Sequence, residues 1–409
     1  MKHVPTKLLS VSLHLMGHSI AVGRLALVRR RIYFEYDSSF LDHGLPISPL
    51  KLPLKRGTAT PATQLFEGLF GVFNDSLPDG WGRSLLDRKL QALGIAPELL
   101  GPLDRLTYVG KFGMGALIYE PSIAESDFPE RLDLDLLADA ASTVTKGEVE
   151  RIPHELFALS GSSAGARPKI MVGVSEDNKE FIHGLRDLPD GFTHWMIKFN
   201  ASQDPKDSGA VEYAYSLMAV AAGIEMMPTH LFRTKQKRSC FAVKRFDRIG
   251  NLRLHMHSLS GLMDADHHMP SIDYDHVLKA TQFLTQDASE VKKAFHLACF
   301  NVLARNRDDH AKNFAFLMDA NGKWRLSPAY DLTFSSGPGG EHCTTILGEG
   351  LAPGPGHLLE LGLKFGIKKR EAQEVIEMVR SSVSKWTDFA DQAGLSKSSA
   401  NAIKKSLFP

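Results

Sequence analysis

Asp308 and Asn313 stand five positions apart, with Lys312 between them, in the run Asn306-Arg307-Asp308-Asp309-His310-Ala311-Lys312-Asn313-Phe314. Those residue types at that spacing suit phosphoryl transfer. The Asp can accept the proton of an attacking hydroxyl, while the Asn carbonyl oxygen and a second Asp further along hold magnesium against the phosphates of ATP. Such a reaction asks for positioning and charge neutralisation more than for a reactive side chain. An Asp and an Asn in a polar stretch also describe an ordinary turn, so the reading depends on the elements that would carry them.

Upstream, apolar residues recur at Ala294, Phe295, Ala298, Cys299, Val302 and Leu303. That three-and-four spacing makes one buried face and predicts a helix over Val291 to Arg305, ending where the polar run begins. Downstream, 313–318 and 323–327 flank Asn321-Gly322 and read as a hairpin closed by a tight turn. If those two residues alone make the turn, Asp331 returns opposite Lys312 and a second carboxylate lands beside Asn313. Pro328, with no N–H to donate, ends the ladder. Helix, polar loop, hairpin and returning Asp is the layout of a protein-kinase metal site.

The 409 residues, 43% of them hydrophobic, are enough for two or three domains with full cores. Lys and Arg number 48 against 47 Asp and Glu, so contact with nucleic acid would need a local patch. The longest basic cluster, Lys235-Gln236-Lys237-Arg238, reads as an exposed hairpin tip. Cys240, Cys299 and Cys343 are far apart and in no paired motif, which argues for a reducing compartment without a disulfide or zinc framework. No apolar run follows Lys2 and Lys7 that would serve as a signal peptide or membrane span. The expectation is a globular cytoplasmic protein that does not engage a membrane.

Short apolar runs broken by Gly17 and Gly23, followed by the alternating Arg31 to Tyr36, open the chain as a small β-rich module. A polar turn, Asn74 to Gly80, precedes a helical pattern from Trp81 to Leu93. Gly110-Lys111-Phe112-Gly113-Met114-Gly115 has the glycines of a phosphate loop, but it feeds a strand, Ala116 to Tyr119, where glycines more often permit a bend. The acidic stretch from Glu120 to Asp139 marks a junction between modules.

Next, Ser160-Gly161-Ser162-Ser163-Ala164-Gly165-Ala166-Arg167-Pro168-Lys169 runs into an apolar strand, Ile170 to Val174. Small residues let backbone approach phosphate oxygens, and Arg167 and Lys169 supply positive charge. A strand over Thr193 to Phe199 turns Lys198 away from Trp195, Ile197 and Phe199, the arrangement by which ATP-binding lobes hold phosphates. In a helix predicted over Ala210 to Gly223, Glu212 is either the partner of Lys198 or a solvent-facing residue of the helix N-terminus. Phe241 to Asp247 reads as a strand able to carry the backbone groups that recognise adenine, with Arg245 and Phe246 at its end. A rival chemistry rests on His255, His257, Asp264, Asp266, His267 and His268, read as a histidine-rich loop that could hold the zinc of a hydrolase. After Asp331, the stretch from Ser335 to Gly356 reads as a flexible docking or activation loop. Amphipathic helices over Lys369 to Val383 and Ser396 to Leu407 close the chain.

In order, Ala164 to Lys169, Ile197-Lys198-Phe199, Lys244-Arg245-Phe246-Asp247-Arg248, Asp308 to Phe314 and Ser327-Pro328-Ala329-Tyr330-Asp331 resemble the HipA-like toxin kinases of type II toxin–antitoxin systems. Val22 to Leu25, Phe34 to Tyr36, Leu77 to Gly80 and Gly113 to Leu117 resemble that family's N-terminal subdomain, so the likeness covers nearly the whole chain. It implies an α+β, two-lobed protein-kinase-like fold. A β-rich subdomain at 1–135 would precede an ATP-binding lobe at 136–250 and a helical catalytic lobe at 251–409. The resemblance further implies a serine/threonine kinase using ATP and Mg2+, with an aminoacyl-tRNA synthetase or other translation component as substrate. A separate helix-turn-helix antitoxin would neutralise it and provide its only link to DNA. Asp308 would be the catalytic base, and Asn313 and Asp331 the magnesium ligands. ATP would be held by Ala164, Gly165, Ala166, Arg167, Pro168, Lys169, Lys198, Lys244, Arg245, Phe246, His310, Ala311, Lys312, Asn313, Tyr330 and Asp331. Ser162 would be autophosphorylated, with Ser163 next and Ser160 after it. Arg167-Pro168 and Lys244 depart from some members. The alternative is a catalytically silent kinase fold serving as a binding module in an antitoxin–DNA repressor complex.

Overall fold

The structure, a computed structural model, describes residues 4–123, 131–146, 156, 159, 165–267 and 269–408. Alternation at the start of the chain becomes β1 (Leu8–Leu15), β2 (His18–Val28) and β3 (Arg31–Tyr36), with Leu9, Val11, Leu13 and Leu15 buried. Gly17 ends the first strand in a two-residue turn in which Met16 and Gly17 have φ of 49° and 84°, the left-handed pair that matches hairpin twist. With β4 (Thr58–Ala59) and β5 (Leu117–Glu120) these strands form a sheet in the order β4-β3-β2-β1-β5. Helices α1 (Ser38–His43), α2 (Gly71–Asn74), α3 (Gly80–Ala92) and α4 (Pro102–Val109) connect them. From Leu134 onward the acidic stretch is part of α5 (Leu134–Thr145), capped by the Asp133 carboxylate.

The second sheet is antiparallel, in the order β7-β6-β8-β10-β9. It is built from β6 (Lys169–Ser175), β7 (Phe181–His183), β8 (Phe192–Lys198), β9 (Thr229–Arg233) and β10 (Ser239–Lys244), with α6 (Ser208–Ala221) between β8 and β9. Lys235 to Arg238 form the β9–β10 connection, as expected. Then come β11 (Arg248–Ile249), β12 (Leu252–Arg253), β13 (His255–Ser258), α7 (Leu259–Met263), β14 (Ile272–Asp273), α8 (Tyr274–Thr285) and α9 (Ala288–Leu303). The expected helix before the polar run is α9, with Ala294, Phe295, Ala298, Cys299 and Val302 buried.

The hairpin after Asn313 forms, but one residue out of the expected register. In β15 (Ala315–Met318) and β16 (Trp324–Leu326), Phe316 faces Leu326 and Met318 faces Trp324. Asp319 is the reason: its carboxylate accepts the amides of Asn321 at 2.8 Å and Lys323 at 3.0 Å, so a five-residue loop replaces the two-residue turn. Asp331 therefore does not arrive by the ladder. The chain leaves it after Leu326 and pairs Ala329 with Met226, and that second anchor brings Asp331 in.

The stretch 335–356 is not a free loop. It contains β17 (Thr344–Thr345), which pairs with β14, and Pro355 opens α10 (Pro355–Lys364), where a residue lacking N–H loses nothing. Helices α11 (Lys369–Ser384), α12 (Trp386–Ala393) and α13 (Lys397–Leu407) follow, α12 being absent from the sequence reading. The first sheet shares one continuous core with α6 and α8 to α13, while α3, α5 and the second sheet form another. Among the described residues no helix is long and apolar enough to cross a membrane.

Candidate active site

Trp195, Ile197 and Phe199 enter the core beneath the second sheet, which turns Lys198 to the opposite face. Its Nζ lies 2.5 Å from Glu212 Oε1 on α6 and 2.5 Å from Asp331 Oδ1. Glu212 is 2% exposed, so it is the lysine's partner and not a solvent-facing residue. Burial opposes the charge on Asp331, but Lys198 and then Lys169 hold its carboxyl well below the usual range. Asp331 also has φ of 57°, a left-handed conformation that costs a residue with a Cβ on the order of 1–3 kcal/mol and collects at functional sites.

Lys169 faces Lys198 directly across β6 and β8. Like charges in that position repel, and burial followed by the Lys198 ammonium pulls Lys169 down to about 8. Gly165 has φ of +107°, a backbone conformation that strains any residue with a Cβ, and a side chain there would also crowd the tip of Lys169. Arg167 is 3.3 Å from Asp204 and 3.8 Å from Glu212, and the Pro168 carbonyl accepts the Phe199 amide. Ser160, Ser162, Ser163 and Ala164 lie outside the described residues.

The polar run is held from beneath by Asp309, which is fully buried. Its carboxylate accepts Tyr274 Oη at 2.9 Å, His342 Nδ1 at 2.9 Å and the Thr344 amide at 3.1 Å. Asp308, one residue earlier, is exposed. Its carboxyl is nonetheless pushed above the usual value, first by partial burial and then by Asp331 and Asp309, against the pull of His310 and Arg167. Asn313 Nδ2 donates to the Asp308 carbonyl at 2.6 Å, which leaves Oδ1 for another partner. Tyr330 donates to the Lys312 carbonyl, and its ring centroid lies 5.2 Å from that of Phe246. Ala311 is buried, and His310 Nδ1 is buried without a hydrogen-bond partner.

At the end of β10, Lys244 gives its amide to Pro228. Arg245 differs from expectation. Its guanidinium donates to Asp247 at 2.9 and 2.8 Å and its amide to His194, because a buried guanidinium must pair. Phe246 is the residue of this segment whose side chain meets Tyr330.

Sequence models of two domains match the chain: the HipA N-terminal domain over residues 13–120 and the HipA-like C-terminal domain over residues 161–387. The chain belongs to the HipA family. Among solved structures, it is similar to a complex described as the Shewanella oneidensis MR-1 toxin–antitoxin system HipA, HipB and operator DNA. That match has a TM-score of 0.71 at 17% identity and covers 97% of this chain and 95% of the other. A Helicobacter pylori proinflammatory kinase, CtkA, aligns with a TM-score of 0.32 at 15% identity, over 53% of this chain and 90% of that one.

Among the described residues of this HipA-family chain the histidines do not form the rival metal centre. His255 and His257 are on β13, not in an exposed loop, and both are fully buried. His257 Nδ1 meets Asp75 Oδ2 at 2.6 Å and its Nε2 meets Ser48 Oγ at 2.9 Å, while His255 Nε2 meets the Ile47 carbonyl at 2.9 Å. Asp264 pairs with Lys51. His268 is not described. Among the described residues no group of three or more His, Cys, Asp or Glu side chains is placed to hold a metal. The Ser48, His257 and Asp75 order is that of a hydrolase triad, but Ser48 is 1% exposed and no acyl substrate could reach it. His257→Ala should cost about 1–3 kcal/mol, because the buried Ser48 hydroxyl loses its partner and the Asp75 carboxylate loses one of its bonds while keeping those from Ser258. Phosphoryl transfer should persist. Melting curves and a phosphotransfer assay check both parts.

Asp79 is the residue sequence reasoning missed. It stands at the N-cap position of α3, but its carboxylate makes no bond to the helix; it lies 2.5 Å from Lys312 Nζ and accepts the Gly165 amide instead. A Cβ on Gly80 would lie 2.7 Å from the Gly165 carbonyl oxygen. Leu77 to Gly80 was legible as a family signature, but no local pattern announces a partner 233 residues away. Asn313 Oδ1 and the ionised Asp331 are hard oxygen donors that fit magnesium.

Proposed function

We propose that this chain is an ATP- and Mg2+-dependent serine/threonine protein kinase acting as the toxin of a type II toxin–antitoxin pair. The observation that carries the reading is Lys198 held between Glu212 and Asp331, with the catalytic-loop residues Asp308, Lys312 and Asn313 alongside. Asn313 and Asp331 would hold magnesium, which would offset the charge of the phosphates. Asp308 takes the proton from the substrate hydroxyl. Lys169 and Lys198 neutralise phosphates, with Gly165, Ala166, Arg167 and Pro168 completing the loop with Ala164. Phe246 and Tyr330 flank the base, and Lys244, His310 and Ala311 complete the nucleotide's surroundings.

The protein substrate is a translation component such as an aminoacyl-tRNA synthetase in the cytoplasm. The partner is a separate helix-turn-helix antitoxin, and DNA is reached through it. Residues 1–135 form the N-terminal subdomain, 136–250 the ATP-binding lobe and 251–409 the catalytic lobe. Autophosphorylation falls on Ser162, with Ser163 next and Ser160 after it. A near-dianion there would repel the nucleotide's phosphates and switch the enzyme off.

Incubation of the pure protein with labelled ATP, followed by phosphosite mapping, tests the kinase against a silent binding module. Phosphoproteomes of cells expressing wild type or Asp308→Asn identify the target. Absence of label in protein that binds nucleotide would favour the module.

Lys169 supplies a pH signature. Its charge is present below about 8 and is lost above it, whereas an unperturbed lysine keeps its proton to 10.5. Phosphates beside it restore the charge, so nucleotide binding near pH 9 should take up a proton and binding near pH 7 should not. Calorimetry in buffers of different ionisation heat reads the uptake, and Lys169→Gln should abolish it.

A further inference from the structure

Trp81 is buried in the core shared by α3, α5 and the second sheet, which fixes the start of α3 beside Gly165. An Asp at the N-cap ordinarily turns its carboxylate back onto the amides of its own helix, a bond worth about 1 kcal/mol. Asp79 forgoes that bond. Its Oδ1 accepts the Gly165 amide, while the Trp81 amide, which a capping carboxylate could take, is donated to the Gly165 carbonyl at 3.1 Å. Both backbone groups of Gly165 are thus gripped by the helix start. Gly80 sits between the two bonds, and a Cβ on it would come within 2.7 Å of the Gly165 carbonyl oxygen and 2.9 Å of Ala166 Cα, so the two backbones can meet only with glycine there.

The other carboxylate oxygen, Oδ2, meets Lys312 Nζ at 2.5 Å and lies 3.7 Å from His267 Nε2. Lys312 is buried, Tyr330 holds its carbonyl, and Asn313 is the next residue. Burial opposes the charge on Asp79, but Lys312, the Gly165 amide and Lys169 keep its carboxyl below the ordinary range. Asp79 belongs to the N-terminal domain, 13–120, whereas Gly165, Lys169 and Lys312 belong to the C-terminal domain, 161–387. One carboxylate therefore crosses from the first domain to bind both the loop and the catalytic run of the second.

We propose that Asp79 is a positioning residue of the nucleotide site, holding the backbone at Gly165 and the ammonium of Lys312 at the separation that receives phosphates, so that the N-terminal domain completes a site whose other members come from the C-terminal domain. The proposal rests on the kinase reading above. An anion would repel the phosphates, so Asp79 acts through the lysine and the loop and does not touch the nucleotide. Preset in this way, neither group has to be ordered when the nucleotide arrives, and the gain appears as affinity.

The test measures initial rates against MgATP concentration for the full chain as wild type, Asp79→Asn, Gly80→Ala and His257→Ala. Asp79→Asn can still accept the Gly165 amide but cannot pair with the ammonium. It should raise KM for MgATP at least about tenfold, the scale of one charge-assisted hydrogen bond, with kcat within about threefold of wild type. Gly80→Ala, which pries Gly165 from the helix, should do the same and decides the matter if Asp79→Asn does not fold. His257→Ala loosens a different contact between the same two domains, so it should lower the melting temperature and leave KM within about twofold. An unchanged KM in Asp79→Asn and Gly80→Ala, or an equal rise in His257→Ala, overturns the proposal. Hydrogen exchange without nucleotide gives a readout apart from catalysis: the Gly165 amide should exchange at least about tenfold faster in Asp79→Ala than in wild type, and equal rates also overturn it. A wild type that protects Gly165 yet neither binds nucleotide nor transfers phosphate would instead overturn the kinase reading, and with it the role given to this contact.

Discussion

Asp308→Asn should lower phosphoryl transfer by about 10²- to 10⁴-fold, the usual contribution of a positioned general base, while nucleotide affinity stays within a few-fold of wild type. The carboxamide keeps the shape and gives up the proton acceptor. Asp309 is unaffected, so its bonds to Tyr274, His342 and Thr344 should hold the loop in place and the melting temperature should barely move. Because Asp308 is raised above the ordinary carboxylate value, by burial first, the wild-type rate should fall as pH drops toward that raised value, and Asp308→Asn should lack this acid limb. Asp331→Asn gives a contrasting pattern, losing magnesium-dependent nucleotide binding together with turnover. Filter binding and initial rates on the same preparations separate the two, and near-full activity in Asp308→Asn would remove that residue from the chemistry.

Asp247→Ala should cost about 3–5 kcal/mol of stability, the range for removing one partner of a buried ion pair. The carboxylate is completely buried and takes hydrogen bonds from Arg245, Arg248 and Gly115. Without it, two buried guanidinium groups face each other with nothing between them. Burial opposes its charge, yet Arg245 and Arg248 hold it well below the ordinary carboxylate range, so this stability is present above pH 4 and lost only as pH falls toward that depressed value. Urea denaturation of wild type, Asp247→Asn and Asp247→Ala at pH 7 provides the measurement. Asp247→Asn, which keeps some acceptors but no charge, should fall between the other two, and equal midpoints in all three would contradict the burial argument.

What the sequence disclosed was local. The apolar spacing before Asn306 identified α9, alternation identified β8 and the facing of Lys198, and the Asp308 to Asn313 spacing identified the loop. Where a side chain took a backbone's place, the reading slipped: Asp319 lengthened the hairpin loop and shifted its register, and no propensity argument weighs one carboxylate against a two-residue turn. Residues judged by type alone also misled. Arg245 reads as a nucleotide contact from the family resemblance and its place at the end of a strand, but its burial and the Asp two residues on commit its guanidinium elsewhere. His255 and His257 looked like ligands until their partners, Ile47, Ser48 and Asp75, came in from segments about 200 residues earlier. Asp79 belongs to the same class, since its meaning depends on a fold that brings α3 to Lys312.

The hold of Asp309 on residues 342 and 344 has a regulatory implication. In many phosphotransferases the span beyond the metal-binding Asp must be ordered by an added phosphate before turnover begins. Here the chain's own buried carboxylate already fastens that span, so a newly made molecule would need no activating partner there. In the kinase toxin proposed above, restraint would then have to be imposed from elsewhere, and its inhibitor would be needed from the first copies synthesised.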